Sequence, residues 1–467
     1  MFNVACLLFK NRHVHIFMNN FELFSQYSKV FATLAAVITI IMRVFITFLF
    51  CFFFLASIAQ QPDAVLRNNI KSIKLFKYAD PYAYPVIHLN SEDKLELHFD
   101  DMDADVKNYY YSYQLCNADW KPAMLQTFEY IKGFQDVRIN NYRQSSIVKT
   151  KYTHYQAVFP DKNCVPSRSG NYLLKVFING DTSKLFFTKR FFVVDEKSAI
   201  GAQVQQPFNT QLFKTHQKLQ VIVNTDKTLN VLGPQDIRVV MLQNYSWPTA
   251  IELNRPNIYR GNYFEYYDEN LNSFSAGKEW RWLDLRSLRL QSDRMQKIDS
   301  KKEPIEVYVR PDGEQVNKPY IYYRDQNGLF SLENMDDNNP YWQADYANVH
   351  FTYTPPGNKA FEGKSIYLFG ELNNYRADES SVMLFNEEKG VYEKSLFLKQ
   401  GFYNYSFILL DDVVKKGEKR NFIKAEGDYW ATENLYSVFV YYRAFGGRAD
   451  ELIGYSTISS VFHRQLR

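Results

Sequence analysis

Cysteine is scarce in this sequence: Cys6, Cys51, Cys116 and Cys164 are the four residues among 467 positions. So few thiols exclude a disulfide-stapled scaffold. Glycine (19) and proline (16) are modest, which excludes a collagen repeat and a low-complexity disordered chain. Neither sign of charge dominates, with 55 Lys and Arg against 51 Asp and Glu. Catalytic frames are also missing: there is no G-x-S-x-G elbow, no phosphate-cradling glycine loop and no Walker motif. None of His88, His98, His154, His216 and His350 has a partner at the spacing of a zinc motif. No paired carboxylates sit in a recognisable glycosidase frame. The expectation is therefore no enzyme, with no catalytic, cofactor-binding or metal residues. What the chain has in abundance is aromatics, 17% of residues, which fits many short strands.

The first sixty residues stand apart. From Met42 the chain reads one Arg, an apolar run from Val44 to Leu55, and then Ser57-Ile58-Ala59, the pattern of a secretory signal peptide with a small-x-small cleavage site. The run is too short to span a bilayer. Residues 1–41 precede this complete signal and read as an over-extended start, with Met42 the initiator. The competing reading, one long anchor from Phe31 to Ile58, puts Arg43 mid-membrane at a cost on the order of 3 kcal/mol. Without residues 1–59 the chain holds 51 basic and 50 acidic residues, net +1. That balance gives no electrostatic footprint for nucleic acid or anionic lipid. Only Cys116 and Cys164 then remain. In an oxidising compartment they either close a bridge, with a loop-entropy term of about 4 kcal/mol, or stay as two buried thiols.

Downstream, period-2 alternation runs almost throughout. Leu95, Leu97 and Phe99 share one face of a strand and Lys94, Glu96 and His98 the other; Tyr109, Tyr111, Tyr113 and Leu115 alternate likewise after an acidic turn, as in a hairpin. The fold class expected is all-β: three consecutive immunoglobulin-like, early-set β-sandwiches at 62–196, 197–344 and 345–467, after a cleaved signal peptide at 42–59. The polar run Glu333 to Pro340 reads as the linker before the third unit. In Trp280-Arg281-Trp282-Leu283-Asp284-Leu285-Arg286, an exposed aromatic stripe implies a binding surface and a buried one implies core, which is the preferred reading. Asp101, Asp103 and Asp105 invite a calcium loop. Counted from Asp101, however, Val106 stands where the sharp turn wants Gly and Ser112 where a bidentate Glu belongs, so a solvated turn is expected.

The third unit, with Ile366 to Tyr375, Gly390-Val391-Tyr392 and Gly401 to Phe407, resembles glycogen- and starch-binding β-sandwich modules. Tyr375 stands where those modules commonly place a sugar-stacking Trp. Across the whole, Phe99-Asp100-Asp101, Tyr109 to Tyr113, Cys116-Asn117-Ala118-Asp119-Trp120, Glu129 to Phe134, Ser169 to Val176, Arg190 to Val194, Thr432 to Tyr436, Val440 to Arg443 and Leu452 to Tyr455 resemble the plug family of the type IX secretion system of Bacteroidota. Leu115 departs from that pattern, which has His before the Cys. The resemblance implies a periplasmic protein on the inner side of the outer membrane. It would bind the periplasmic mouth of the outer-membrane translocon barrel and keep the pore closed between transport events. That barrel is the partner implied, with no nucleic acid and no small-molecule substrate. The alternative, suggested by the third unit, is a carbohydrate-binding protein of a polysaccharide-utilisation system.

Overall fold

The computed structural model describes residues 62–413 and 423–461, together with Met42 and Arg43. The expected start at 1–41 and signal peptide at 42–59 otherwise lie outside the described residues. Among these residues no helix is long and apolar enough to cross a membrane. The chain divides into a unit 1–60 and a unit 61–467, and the strands below belong to the second.

Six larger sheets pair face to face as three β-sandwiches. In the first, one sheet runs Ile70–Lys77, Leu95–Asp101, Thr153–Phe159, Asn141–Gln144. The other runs Val86–His88, Asp181–Val194, Gly170–Ile178, Tyr109–Cys116, Asp136–Arg138. The alternation dictates this packing. Leu95, Leu97 and Phe99 are fully buried against Tyr109, Tyr111, Tyr113 and Leu115 of the facing sheet, with Phe99 edge-on to Tyr109 at 5.2 Å between centroids. The expected hairpin is not formed: the acidic turn carries the chain from one sheet to the other. Period 2 shows that a strand has a buried face but not which strand it pairs with.

The second sandwich is discontinuous. Ser198–Gln205, His216–Thr225, Tyr263–Tyr266 and Ile258–Arg260 form one sheet. The other joins Ile251–Leu253 and Ile237–Gln243 to the C-terminal hairpin, Leu435–Tyr442 and Glu451–Ser459. The register runs antiparallel from Ile237 opposite Tyr442 to Gln243 opposite Tyr436. Val438, Val440 and Tyr436 thereby fill the core made by Val221, Val223 and Val239.

The third sandwich lies between these two halves in sequence. Phe402–Asp411 carries Arg281–Asp284, Phe330–Ser331, Lys364–Phe369 and Ile423–Lys424, opposite a sheet containing Met295–Asp299, Ile305–Val309, Tyr346–Thr354, Val391–Lys399 and Leu384–Asn386. The expected boundary at 344/345 is therefore corrected at both ends. Residues from Arg281 onward already belong to the third sandwich, and residues after Leu435 return to the second. Glu333 to Pro340 is no linker between domains. It is tied into the third sandwich, where Asp336 accepts from Ser287 Oγ (2.6 Å) and the Leu288 amide (2.9 Å).

Candidate functional site

Asp101, Asp103 and Asp105 do converge, with ligand atoms within 4.8 Å of one another. The Lys107 ammonium sits among them at 2.7, 2.5 and 3.1 Å, where a cation would otherwise be. Burial acts to lower the Lys107 pKa, and the three carboxylates more than reverse it. Asp101 is fully buried and also accepts from Tyr109 Oη at 2.9 Å, so the turn is a pinned corner between sheets rather than a solvated loop. Cys116 and Cys164 are free thiols, both buried, and burial pushes each up to about 12. In the Trp280 segment, Arg281, Leu283 and Leu285 point inward and Arg281 forks onto Glu426 (2.8 and 2.7 Å) and Asp312 (2.6 Å). Trp280 is buried beside Phe369 and Tyr375, while Trp282 is half-buried and meets Tyr323 edge-on.

The third sandwich covers part of the polar face expected along Leu95–Asp101: His98 and Asp100 are buried, while Lys94 and Glu96 stay half-buried. Asp100 and Lys399 are both 0% exposed and bonded at 2.5 Å. The same carboxylate accepts from Tyr346 Oη at 2.6 Å and from His154 Nδ1 at 2.6 Å. Burial alone raises the Asp100 carboxyl, but Lys399 and His154 outweigh it and hold it below the usual range. Burial lowers His154 to about 4 against the pull of Asp100. His154 Nε2 lies 3.0 Å from His98 Nδ1, and His98 stacks on Tyr341 at 3.9 Å. Residues 56 positions apart thus form a histidine pair that no spacing rule could show.

The Cys116 to Trp120 corner has a parallel role toward the second sandwich. The Ala118 amide donates to Asp450 (2.8 Å), and Asn117 Oδ1 accepts from Arg443 (2.8 Å) and from the Asp450 amide (3.1 Å). Behind it, Val86, Phe192 and Val194 pack on Val240, Phe439 and Leu452 as a core shared by two sandwiches. Where all three meet, a cleft of ≈ 960 Å³ opens, lined among others by Trp120, Arg190, Trp247, Glu252 and Tyr375. The Arg190 guanidinium lies 4.8 Å over the Trp120 ring and 5.0 Å over Trp247, and its Nη1 donates to Asp63 at 2.8 Å. Trp247 Nε1 in turn donates to Tyr84 Oη at 2.7 Å.

A family model described as type 9 secretion system plug protein, 1st domain, matches residues 70–195, the residues that build the first sandwich. The chain belongs to the type IX secretion system plug family. This plug-family chain is also similar to a hypothetical protein from Parabacteroides merdae ATCC 43184 known from its crystal structure. They share 30% identity over 86% of this chain and 99% of that one, with a TM-score of 0.80. The native conformation of E. coli alpha-2-macroglobulin aligns at 11% identity, over 86% of this chain and 23% of that one, with a TM-score of 0.16, too low to bear on the plug-family fold. No curated protein matches.

Of the many aromatics between Tyr109 and Trp282, Tyr109, Tyr155, Tyr172 and Phe191 are core, while Phe128, Phe134 and Phe208 face solvent. Tyr375, at the sugar-stacking place of the carbohydrate modules, is 7% exposed and packs edge-on to Phe369 and Trp280. The apolar side chains that do face solvent include Met124 (79% exposed), Phe128 (73%) and Phe445 (89%). Their loops are tied together by Arg448, which pairs with Glu129 and donates to the Met124 carbonyl at 3.4 Å. Sequence reasoning missed this group because its members come from segments some 320 residues apart, as the Arg448 to Glu129 separation of 319 shows.

Proposed function

We propose that this protein is a periplasmic plug that binds the periplasmic mouth of the type IX translocon barrel and closes it between transport events. The observation that carries the reading is the plug-family match over residues 70–195. The architecture suits a stopper. Three sandwiches joined through buried ion pairs and a shared core form a broad, stiff body, and sealing an opening needs an interface of at least roughly 1,200–2,000 Å². Met124, Phe128 and Phe445 supply exposed apolar anchors of the kind that dominate such interfaces. The plug family and the all-β fold speak for a mechanical, non-enzymatic role. Export by a signal peptide beginning at Met42 belongs to the same reading.

The test is a pull-down from solubilised outer membrane with tagged protein, paired with permeability of a deletion strain to large antibiotics. Co-purification of a large barrel together with leakage is expected. An intact barrier in the deletion strain and no barrel on the beads would refute plugging.

A further inference from the structure

Four side chains run in a line at the joint between the first and third sandwiches: Asp100, His154, His98 and Glu96. Their contacts are His154 Nδ1 to Asp100 Oδ1 at 2.6 Å, His154 Nε2 to His98 Nδ1 at 3.0 Å and His98 Nε2 to Glu96 Oε1 at 2.9 Å. Each contact needs one hydrogen between its two atoms. Ionised carboxylates contribute none and a neutral imidazole contributes one, so two neutral rings supply two hydrogens for three contacts. The line closes only with a third.

The surroundings say where the third hydrogen sits. Burial pushes His154 down to about 4, so its ring stays neutral, donating to Asp100 and accepting from His98. The hydrogen bond from His98 is the chief cause holding the Glu96 carboxyl below its usual range, so Glu96 remains an acceptor. That leaves His98 with a hydrogen on both nitrogens. Its charge is matched twice. Glu96 has no Lys or Arg partner among the described residues, and the Tyr341 ring lies parallel to His98 at 3.9 Å, offering an aromatic face to a cation. The other cations facing the pair already have carboxylates: Lys399 has Asp100, and Lys74, opposite His98 in the next strand, has Glu371. The nearby hydroxyls are also committed, Tyr346 to Asp100 and Tyr152 to the Ala344 carbonyl, so neither supplies the missing hydrogen.

We propose that one proton on His98 locks the first sandwich to the third, and that the joint loosens when rising pH removes it. In the neutral ring one nitrogen faces an acceptor with no hydrogen between them, at His154 or at Glu96, and a buried contact of that kind is unfavourable. Tyr341 loses its cation at the same step. Its carbonyl accepts from Lys399 at 2.5 Å, so the proton bears on the same stretch that carries the Asp100–Lys399 pair. This device goes beyond pore closure and is measured on the purified protein without a translocon. Nitrogen-15 spectra of the histidine rings, assigned with His98→Gln, show how many nitrogens of each ring carry hydrogen. Hydrogen exchange of the amides from Tyr341 to Tyr346, corrected for the intrinsic rate, reads the joint. At pH 5.5 His98 should carry hydrogen on both nitrogens and His154 on one. At pH 9 His98 should carry one, and protection of those amides should fall at least about tenfold, the loss of one charge-assisted hydrogen bond. Glu96→Gln separates this from a merely structural role, because its amide can donate the third hydrogen to a neutral His98; protection in this variant should be the same at both pH values. The proposal is overturned by any of three results: a wild-type His98 ring with one hydrogen at pH 5.5, wild-type protection that does not change with pH, or a Glu96→Gln protein as pH-dependent as wild type.

Discussion

The Asp100–Lys399 pair is the sharpest place to test how the sandwiches are held together, because neither group touches solvent. Lys399→Met keeps an unbranched side chain one atom shorter and removes the ammonium that lies 4.2 Å from the Tyr152 ring. It leaves Asp100 charged with only His154 and Tyr346 as donors. Removing one partner of a buried pair costs about 3–5 kcal/mol, most of it the desolvation of the charge left behind. The unfolding entropy is about 2.1 cal/mol/K per residue. Residues 62–413 and 423–461, 391 in all, therefore give about 0.8 kcal/mol/K. The melting temperature should fall on the order of 4–6 °C. The double variant Asp100→Asn with Lys399→Met removes both charges and should recover more than half of that loss. Differential scanning calorimetry decides. A single variant melting within about 1 °C of wild type, or a double variant no better than the single, would show that the ion pair does not join the first and third sandwiches.

Two further expectations concern pH. Burial pushes His154 down to about 4 in the folded protein from its ordinary 6.5, so the unfolded chain binds more protons between these values. Its contribution is complete above pH 6.5 and is lost as pH falls toward 4, by up to about 1.4 kcal/mol per pH unit; denaturant midpoints of His154→Gln should fall less steeply over that window than those of wild type. Glu279 behaves oppositely: burial raises its carboxyl to about 7 against the hydrogen bond from Tyr320, and its Oε2 has no partner. Ionisation therefore destabilises the fold as pH rises through 7, and Glu279→Gln should melt above wild type at pH 8 but not at pH 4. Equal melting at both values would show that the group is not buried as described.

Much of the first sandwich was legible because its strands obey a local rule. Leu95, Leu97 and Phe99, and Tyr109 through Leu115, alternate as a buried face must, and both sets are core. The second and third sandwiches were mis-bounded because topology is not local: the chain leaves the second core at about Ala276 and returns to it only at Leu435. The faces read as polar and exposed failed for a related reason. His98 and Asp100 look solvated within their own strand and become buried only when Tyr341 and Lys399 arrive from the third sandwich. The junction gave no local signal: Asn precedes Tyr at seven places in the chain, and only at Asn244-Tyr245 and Asn374-Tyr375 are both residues left-handed.

The way the three sandwiches are joined constrains how such a body could release a pore. Parting the first from the third would strand Asp100 and Lys399, and the further buried pair Lys74–Glu371 at 2.5 Å would be broken as well. Parting the first from the second would expose the shared core around Phe192 and Phe439 and undo the Asp450 contacts at Ala118 and Asn117. Each separation costs several kcal/mol. These interfaces are interlocked through one chain that crosses between sandwiches three times, so the costs fall together. On the proposed plug reading the protein leaves its seat as one body, because parting any two sandwiches costs several kcal/mol.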